Sequence, residues 1–419
     1  KLIFFVRTAF GLILQSTKRI LFTLGIVIVF ELGKHIILPM LDVQSARRVL
    51  KGYTFLQVFA ATTGGQASTP TLFSVGLAPY MTGMILLQAL KMLDFNFLKN
   101  MTPYQEGFLQ RFVMLALATI QAIQLAFLLK SEFRRGPIVF GIDINILGAV
   151  IVLVAGAMWI SWLADVNSEH GVGGLGILII PSLISSTPQL LGQGEGLGTM
   201  PLILTKVTTA ILIVVVLILI FLTVWINKAE ERIPVKRPMV QNDYEESYLP
   251  IRVLTAGAMP LMFSTSVFMI PRYITAYGVN NHAIQFVNDY LSFDNWVGVL
   301  IYTIIVLGLS YAFGYMNFQP EELAKSLKKS GDYLENVVPG EETQKFLSRK
   351  MILVSTTGNL YLTFVCAAPL VVGLFVDGIS NLSFVFSNLF ILVTIMDNVF
   401  DQANALRYRD DYDLLKFEG

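Results

Sequence analysis

Long apolar runs separated by short polar stretches dominate the pattern of hydrophobic and polar positions in this chain. The densest run, from Ile211 to Leu222, reads ILIVVVLILIFL, and ten runs are long enough to cross a bilayer. The hydrocarbon core of a bilayer is about 30 Å thick and needs about 20 mostly apolar residues as a helix, because lipid cannot hydrogen-bond to a bare backbone amide. The pattern therefore predicts an all-α polytopic membrane protein.

The ten predicted spans form two sets of five. This number suits a membrane fold of two pseudo-symmetric five-helix halves, although periodicity alone does not demonstrate a repeat. Along the chain we expect an interfacial N-terminal segment (1–19), an N-terminal half (20–191), a C-terminal half (192–403) and a tail (404–419). The predicted spans are Ile20–Leu38, Thr71–Met92, Phe108–Leu129, Ile144–Leu163, Gly173–Leu191, Pro201–Ile226, Thr255–Tyr277, Trp296–Phe318, Met351–Val376 and Ile379–Ala403.

The composition supports this class and limits the partners. Hydrophobic residues make up 54% of the chain and charged residues 14%, against about 25% charged in an ordinary soluble domain. The 30 basic and 29 acidic side chains nearly cancel, so there is no electrostatic case for a nucleic acid partner. Of the 30 basic residues, 21 fall on the side of the N-terminus and eight on the other side, with Lys206 inside a span. The positive-inside rule therefore favours an orientation with both termini in the cytoplasm.

Motifs of enzymes and metal sites are weak in this sequence. Gly171, Gly173 and Gly176 match the dinucleotide pattern G-x-G-x-x-G, but the motif joins two membrane spans and has no βαβ unit around it. A flexible or tightly packed helix start explains these glycines better. The three histidines lie in three different loops without ligand spacing, and the lone Cys366 lies in an apolar run. We therefore expect no enzyme activity, no cofactor and no metal site.

Ionisable residues inside the spans are few. A secondary transporter with internal repeats is one alternative, and it needs ionisable groups at mid-span. The candidates are Glu31 near an outer end, Lys206 early in the sixth span and Asp397 near the inner end of the tenth, and they do not form a convincing relay. A membrane scaffold for a cytosolic enzyme is another alternative. It would account for the charged loops but not for the apolar connection after the first span.

That connection, Gly52 to Pro70, does not have the pattern of a solvated loop. It reads GYTFLQVFAATTGGQASTP, which is too apolar for free solvation and too short and glycine-rich to span a bilayer. Irregular backbone is tolerated at membrane depth only where it packs in protein or lines a water-filled cavity, so the segment predicts a cavity. Two long charged connections, Asn227–Pro250 and Gln319–Lys350, are either solvated connectors or docking surfaces for a soluble partner.

Several strings occur in an order that is specific to one family. They include GLAPYMTGMILLQAL (76–90), WLADVNSEHGVGGLGILII (162–180), LPIRVLTAGAMPLMFSTSVFMIP (249–271) and FLSRKMILVSTTGNLYL (346–362). Together they resemble SecY, the ten-span channel subunit of the bacterial protein translocase, over nearly the whole chain. The resemblance implies two five-helix halves around a central pore, a plug at about 52–70 and a lateral gate toward membrane lipid. It also implies three kinds of protein partner: a SecA-type motor ATPase, small SecE- and SecG-like membrane subunits, and a secreted preprotein.

Departures from the usual pattern resemble the accessory SecY of some Gram-positive bacteria. The loop after ERIPV is short and acidic at Gln241–Ser247, the Arg that is usual before Pro-Gly is Val338, and the usual gate Asn of the seventh span is Leu254. This resemblance implies a channel of the bacterial plasma membrane that exports a few glycosylated, Ser-rich surface proteins with an accessory SecA. A general SecY translocon is the alternative.

The resemblance also assigns site residues. A channel for chemically varied chains needs a pliable apolar constriction, and two methionines and a glycine suggest a loose one. The implied pore ring consists of Leu77, Met81, Gly176, Ile180, Met262 and Phe390. The implied lateral gate consists of Thr82, Gln121 and Leu254. The implied motor-docking residues are Lys236, Arg237, Lys325, Lys328, Lys329, Arg349 and Lys350.

Overall fold

A computed structural model gives the fold of the chain as two compact units. The first unit consists of Lys1–Gly196 together with Ile395–Gly419, and the second consists of Leu197–Thr394. The residues that the structure describes are 2–39, 41–51, 60, 63–65, 69–92, 101–134, 136–139, 142–192, 206–237, 247–264, 295–375, 379 and 381–415.

Helices dominate both units. Within the described ranges, six helices are long and apolar enough to cross a membrane. The helices are α1 (Leu2–Gly33), α2 (Val43–Lys51), α3 (Ala78–Met92), α4 (Pro103–Leu128), α5 (Ile144–His170), α6 (Gly176–Gly192), α7 (Lys206–Lys228), α8 (Trp296–Phe318), α9 (Pro320–Ser330), α10 (Glu341–Gly373) and α11 (Asn381–Leu415). The strands are β1 (Ile138–Val139), β2 (Ile142–Asp143), β3 (Glu230–Lys236), β4 (Tyr248–Arg252) and β5 (Tyr333–Leu334).

Local sequence sets the starts of α4 and α5 in the first unit. The Thr102 side chain accepts a hydrogen bond from the backbone N–H of Gln105, and the Gln105 side chain accepts one from the backbone N–H of Thr102. Pro103 follows at the first helical position, where no backbone donor is needed. Asp143 caps α5 by accepting from the backbone N–H of Asn145. α5 therefore begins at the predicted Ile144, whereas α4 begins at Pro103, before the predicted start of the span at Phe108.

Small residues build the core between α4 and α5. Ala118, Ala122 and Ala126 recur every four residues on α4, which places them on one face of the helix. They share a buried cluster with Ala149 of α5 and with Val75, which precedes α3. Small side chains let membrane helices approach closely. The segment that leads into α3 therefore rests on a tightly packed helix pair.

A three-stranded antiparallel sheet of order β4-β3-β5 lies in the second unit. Its register pairs Ile233 with Leu249 and Val235 with Leu334. Ile233 and Val235 alternate along β3 and are buried in one cluster with Leu334 and Leu347. The sequence pattern predicts charged connections here and does not reveal the sheet. Buried and exposed residues do alternate along β3, but the alternation covers only a few residues of a stretch that also contains proline.

Most predicted spans coincide with helices, and a few boundaries differ. α1 is continuous from Leu2 to Gly33, so no break separates the interfacial segment from the first span. α10 begins at Glu341, well before the predicted start at Met351, because its charged first turns pack on the sheet. A helix over 259–264 begins the seventh span, and residues 265–277 of that span lie outside the described residues.

Candidate functional site

Part of the connection after α2 packs against the start of α3. The backbone N–H of Leu77 donates a hydrogen bond to the carbonyl of Thr63 over 2.8 Å, and the N–H of Gly65 donates to the carbonyl of Ala60 over 2.7 Å. All four residues are buried. Three of them belong to the segment 52–70 for which we expect a plug. Their irregular backbone is sheltered in protein, which is the condition for such backbone at membrane depth.

Two glycines make this contact possible. Gly76 has a φ of 63°, in the left-handed region, and a methyl group on it would lie 2.5 Å from the backbone nitrogen of Gly65. A methyl group on Gly65 would lie 2.9 Å from the carbonyl oxygen of Ser74. The two backbones touch and leave no room for a side chain. A side chain at Gly76 would therefore push the two segments apart.

Aromatic packing fixes the segment that leads into α3. The ring of Phe73 stacks on Phe30 of α1, with ring centroids 5.6 Å apart, and lies at 83° to the Trp159 ring of α5, with centroids 6.0 Å apart. Phe73 is buried. A methyl group on Gly156 of α5 would lie 2.1 Å from the carbonyl oxygen of Leu72. Side-chain stacking and one close backbone approach together hold this segment on α1 and α5.

Predicted pore-ring residues of the first unit converge on the same contact. Leu77 lies just before α3 and Met81 one turn into it, and both are buried. A methyl group on Gly64 would lie 3.3 Å from Cδ1 of Leu77 and 3.5 Å from the carbonyl oxygen of Leu178 in α6. The start of α3 and the first turns of α6 therefore meet one short stretch of chain. Ile180 is partly exposed and borders a groove on α6.

This groove is apolar and has a volume of about 420 Å³. It lies within the first unit, between α1, α6 and the C-terminal part of α11. An exposed apolar surface of this kind is typical of a site for lipid or for another apolar element. The lining residues that matter below are Ile20 and Leu24 of α1, Ile177 and Ile180 of α6, and Met396 and Phe400 of α11.

Side chains from three helices hold the loop between α5 and α6. Oγ1 of Thr23 in α1 accepts a hydrogen bond from the backbone N–H of Val172 over 2.9 Å. Nδ2 of Asn167 in α5 donates to the carbonyl of Val172 over 3.2 Å. Oε1 of Gln402 in α11 accepts from the backbone N–H of Gly173 over 2.9 Å. These contacts cannot be recognised in the sequence because the partners lie as far as 229 positions apart.

The glycines of this loop bring α6 close to α11. A methyl group on Gly173 would lie 2.7 Å from Cγ2 of Val399, and one on Gly176 would lie 2.8 Å from Cγ2 of Ile395. Gly173 also has a φ of 82°, which residues other than glycine rarely adopt. This packing confirms that the G-x-G-x-x-G pattern is a tightly packed helix start. Gly176, a predicted ring residue, lies against α11.

The other two ring residues belong to the second unit. Met262 lies in the helix over 259–264 and is buried. Phe390 lies in α11, is also buried, and has its ring centroid 6.2 Å from that of Tyr361 in α10. The two predicted ring residues of the second unit are therefore one flexible methionine and one phenylalanine. A complete ring stays a prediction.

The predicted gate residues are also divided between the units. Thr82 of α3 and Gln121 of α4 are half-buried in the first unit. Leu254 belongs to the second unit, is 3% exposed and lies in a turn before the helix over 259–264. A methyl group on Gly358 of α10 would lie 3.2 Å from the Cα of Leu254. Leu254 is thus a tightly packed residue, and the gate as an assembly stays a prediction.

The predicted docking residues lie at the end of β3, on α9 and on α10 of the second unit, where α9 and the first turns of α10 pack on the sheet. We call β3, β4, β5, α9 and the first turns of α10 the sheet platform. Most of its predicted docking side chains are exposed, and two are paired with neighbouring acids. Arg237 lies 3.6 Å from Asp332, and Lys325 pairs with Glu321 one helical turn earlier. The exposed docking residues are Lys236, Arg237, Lys325, Lys328, Lys329 and Arg349.

Lys350 differs from these residues. Its Nζ lies 2.8 Å from Oε1 of Glu231 in β3, and both side chains are half-exposed. This ion pair links α10 to the sheet. Its neighbour Arg349 is exposed and makes no ion pair within the described residues. A structural contribution of Lys350 can therefore be separated from a docking contribution of Arg349.

Ionisable residues of the spans make local contacts. Glu31 pairs with the buried Lys34 at 3.1 Å near the end of α1. The hydroxyl of Tyr80 in α3 donates to Oδ1 of Asp165 in α5 over 2.9 Å. Asp397 is buried in α11. The Tyr80–Asp165 bond, which the sequence analysis missed, ties the helix that carries Met81 and Thr82 to α5.

Comparison with known proteins assigns these features to one family. A family model described as SecY matches residues 71–400. The chain is 30% identical to the accessory Sec system protein translocase subunit SecY2 of Leuconostoc gelidum subsp. gasicomitatum, over 96% of this chain and 97% of the relative. It is 30% identical to SecY2 of Streptococcus agalactiae serotype III, over 94% and 95%. It is 27% identical to the protein translocase subunit SecY of Lactococcus lactis subsp. lactis, over 84% of each chain.

Solved structures agree with the family assignment. A structure titled as that of a protein conducting channel has a TM-score of 0.61 at 12% identity and covers 94% of each chain. Sec61 in the canine ribosome–channel complex has a TM-score of 0.56 at 12% identity, again over 94% of each chain. These likenesses confirm the predicted helical membrane fold, and the predicted ten membrane helices are consistent with it. The chain therefore belongs to the SecY family and is a protein-conducting channel subunit of the Sec translocase, not an enzyme.

Proposed function

We propose that this chain is the channel of an accessory Sec translocase that exports specialised, glycosylated Ser-rich surface proteins with a SecA-type motor. The observation that carries the proposal is the near full-length similarity to relatives named as accessory SecY2 subunits. The general SecY of Lactococcus lactis matches over a smaller share of the chain. A general translocon is the competing function.

Within this proposal, the six ring residues line the path of the exported chain. An apolar ring without charged ligands suits a polymer of varied chemistry, because the ring must yield to many side chains and still hinder ions. The flexible side chains of Met81 and Met262 can move aside for bulky or glycosylated segments. Residues 52–70 close the path as a plug, and the contact between Gly65 and Gly76 supports this role.

The lateral gate consists of Thr82, Gln121 and Leu254 in this proposal. Polar side chains between membrane helices form hydrogen bonds of about 0.6 to 2 kcal/mol. Leu254 cannot supply such a bond, so it leaves the gate less firmly closed than an Asn at this position would. A gate of this kind would admit apolar export signals toward membrane lipid.

The sheet platform receives the motor in this proposal. Its exposed cations steer an acidic partner by long-range attraction, and its packed strands keep them in fixed positions. The platform then lies in the cytoplasm with both termini, and the chain lies in the bacterial plasma membrane. This orientation rests on the excess of basic residues on that side. The two halves, 20–191 and 192–403, follow from the same topology.

Small SecE- and SecG-like subunits complete the proposed complex. The apolar groove between α1, α6 and α11 fits one membrane helix of such a subunit, because Ile20, Leu24, Met396 and Phe400 expose apolar surface along it. A charged residue at Leu24 should release that subunit in detergent. Lipid alone in the groove would leave co-purification of the subunit unchanged.

Complementation tests the accessory function against the general one. The gene should restore export of a glycosylated Ser-rich surface protein in a Gram-positive strain that lacks its accessory channel. It should not replace the general SecY of the same strain. Rescue of general secretion without rescue of the Ser-rich protein would reject the accessory assignment. Co-purification from the membrane should identify the SecA-type ATPase that binds the chain.

A further inference from the structure

Exposed basic residues of the first unit lie where the predicted topology expects few. Arg47 and Arg48 of α2 are exposed, as are Lys130 and Arg134 after α4. With both termini in the cytoplasm, these four side chains lie on the extracytoplasmic side. Basic residues are normally depleted there. The presence of four exposed basic residues on this side therefore needs a physical explanation.

The fold brings the two basic segments side by side. Leu41, just before α2, forms an antiparallel bridge with Phe133. The backbone N–H of Asp42 donates to the carbonyl of Glu132 over 3.2 Å. Leu50 at the other end of α2 shares a buried cluster with Leu129. α2 is therefore attached along its length to the segment that carries Lys130 and Arg134.

The surface lies at the end of a lipid-facing helix stripe. Phe112, Leu115, Ile123 and Phe127 are large, apolar and exposed along α4. Such a stripe on a membrane span is in contact with lipid tails. Directly beyond it, Nζ of Lys130 lies 5.8 Å from the centre of the Phe127 ring. Basic side chains at this level reach from the edge of the hydrocarbon to the lipid headgroups.

The basic face of α2 is its free face. Ala46 and Leu50 on the opposite face are 0% and 1% exposed, so α2 cannot turn its apolar side into the membrane. The nearby Asp42 is used as a helix cap: it accepts from the hydroxyl of Ser45 over 2.9 Å and from the backbone N–H of Gln44. The hydrogen bond from Ser45 holds the pKa of the exposed Asp42 below its usual range. Arg48 donates a hydrogen bond to Oγ of Ser45 over 3.1 Å, and the acidic residues closest in the chain or the fold are Asp42, Glu132 and Asp143, which accepts from the backbone N–H of Gly136.

We propose that Arg47, Arg48, Lys130 and Arg134 bind the phosphate of an anionic phospholipid at the extracytoplasmic membrane surface. Arginine pairs with phosphate through two parallel N–H···O bonds, and lysine adds a point charge. Each basic side chain near an anionic surface strengthens binding by roughly a factor of five. The assignment to the outer leaflet rests on the proposed topology. The lipid site itself does not depend on the motor or the exported protein.

Photo-cross-linking of the full chain in nanodiscs tests the site. The probe is phosphatidylglycerol with a photoactivatable headgroup, in a phosphatidylcholine background. We expect cross-links in the segments 43–51 and 130–134, mapped by mass spectrometry. The quadruple variant Arg47→Gln, Arg48→Gln, Lys130→Gln, Arg134→Gln should lose these cross-links by roughly tenfold or more. Folding is checked by the unchanged elution of the variant in detergent.

A matched control removes the same number of charges elsewhere. The variant Lys328→Gln, Lys329→Gln, Lys345→Gln, Arg349→Gln changes four cations of the sheet platform and should keep the cross-links. A phosphatidylcholine probe that carries the same photoactivatable group serves as the lipid control. Equal labelling by that probe, or an equal loss of cross-links in the platform variant, would overturn the proposal. If these four positions cross-link to a stalled exported chain and not to lipid, the surface belongs to the exit path of the substrate. That result would also overturn the proposal. If the quadruple variant fails to fold, it is replaced by Arg47→Gln with Arg134→Gln, which should lose labelling by roughly fivefold or more. Unchanged labelling in that double variant would overturn the proposal.

Discussion

The proposed plug contact of the first unit and the sheet platform of the second unit differ in the kind of residues that form them. The plug contact consists of touching backbones at Gly65 and Gly76 and the buried side chain of Leu77, with no charge. The platform consists of strands with exposed cations over a small apolar core. A seal needs close approach and no preferred ligand, whereas a docking surface needs fixed charges. The two regions therefore respond to different substitutions.

The largest effect is expected at the plug contact, from Gly76→Ala. The methyl group would enter the space of the Gly65 backbone, and the left-handed φ adds about 1 kcal/mol of strain. A loss of about 1.4 kcal/mol or more from the plugged state would raise the open population about tenfold. Ion leak through proteoliposomes that contain the variant measures this effect.

Gly331→Ala is the matched control for that substitution. Gly331 has a φ of 76°, but a methyl group there meets nothing within 4 Å. It reproduces the backbone strain without the contact. Equal leak from both variants would show that strain, and not the plug contact, is responsible.

The next largest effect is expected on the platform, from Arg349→Glu. Arg349 is exposed, so reversal of its charge should weaken motor binding about three- to tenfold at low salt and less at high salt. Lys350→Glu should also weaken binding, but partly because it repels Glu231. Adding Glu231→Lys should restore the structural part of the Lys350 effect and leave the Arg349 effect unchanged. Titration of the purified channel with the motor measures the affinity of each variant and separates the structural effect of Lys350 from the docking effect of Arg349. Unaltered affinity in Arg349→Glu would exclude this residue from docking.

A smaller effect is expected at the gate, from Leu254→Asn. The amide would supply a hydrogen bond of about 0.6 to 2 kcal/mol across the proposed seam and make the closed state harder to open. Export of a preprotein with a weakly apolar signal should fall more than export of one with a strongly apolar signal. Increased leak, or equal acceptance of both signals, would place the seam elsewhere.

The smallest effect is expected from Cys366→Ala. Cys366 is 1% exposed, and its sulfur lies 3.3 Å from Oγ of Ser387. Its loss should change the free energy of unfolding by roughly 1 kcal/mol and leave export intact. Maleimide should not label the native thiol. Rapid labelling in mild detergent would contradict the packing of α10 against α11.

The membrane helices could be predicted because their signal is local. Apolar runs of about 20 residues identify spans without any knowledge of their neighbours. The sheet could not be predicted because β3 pairs with β5 about a hundred positions later in the chain, and both strands are short. Its apolar residues Ile233, Val235 and Leu334 become informative only when the strands are paired.

The site was predicted through resemblance and not through periodicity. Nothing local in the sequence indicates that Gly76 meets Gly65, or that Gln402 accepts a hydrogen bond from Gly173. Such contacts depend on how distant helices meet. The glycine pattern was nevertheless assigned correctly to packing, because a nucleotide site would require a strand before it.

The central claim is that the exported chain passes through the predicted ring, and cross-linking of a stalled substrate tests it most directly. Single cysteines at Met81 and Met262, in the Cys366→Ala background, should cross-link to a cysteine in a preprotein arrested halfway across. Ile180 is less decisive because it borders the groove proposed for a partner helix. A cysteine at Leu86, an exposed position of α3, should not react with the preprotein. Cross-links at Leu86 without cross-links at Met81 and Met262 would contradict the account.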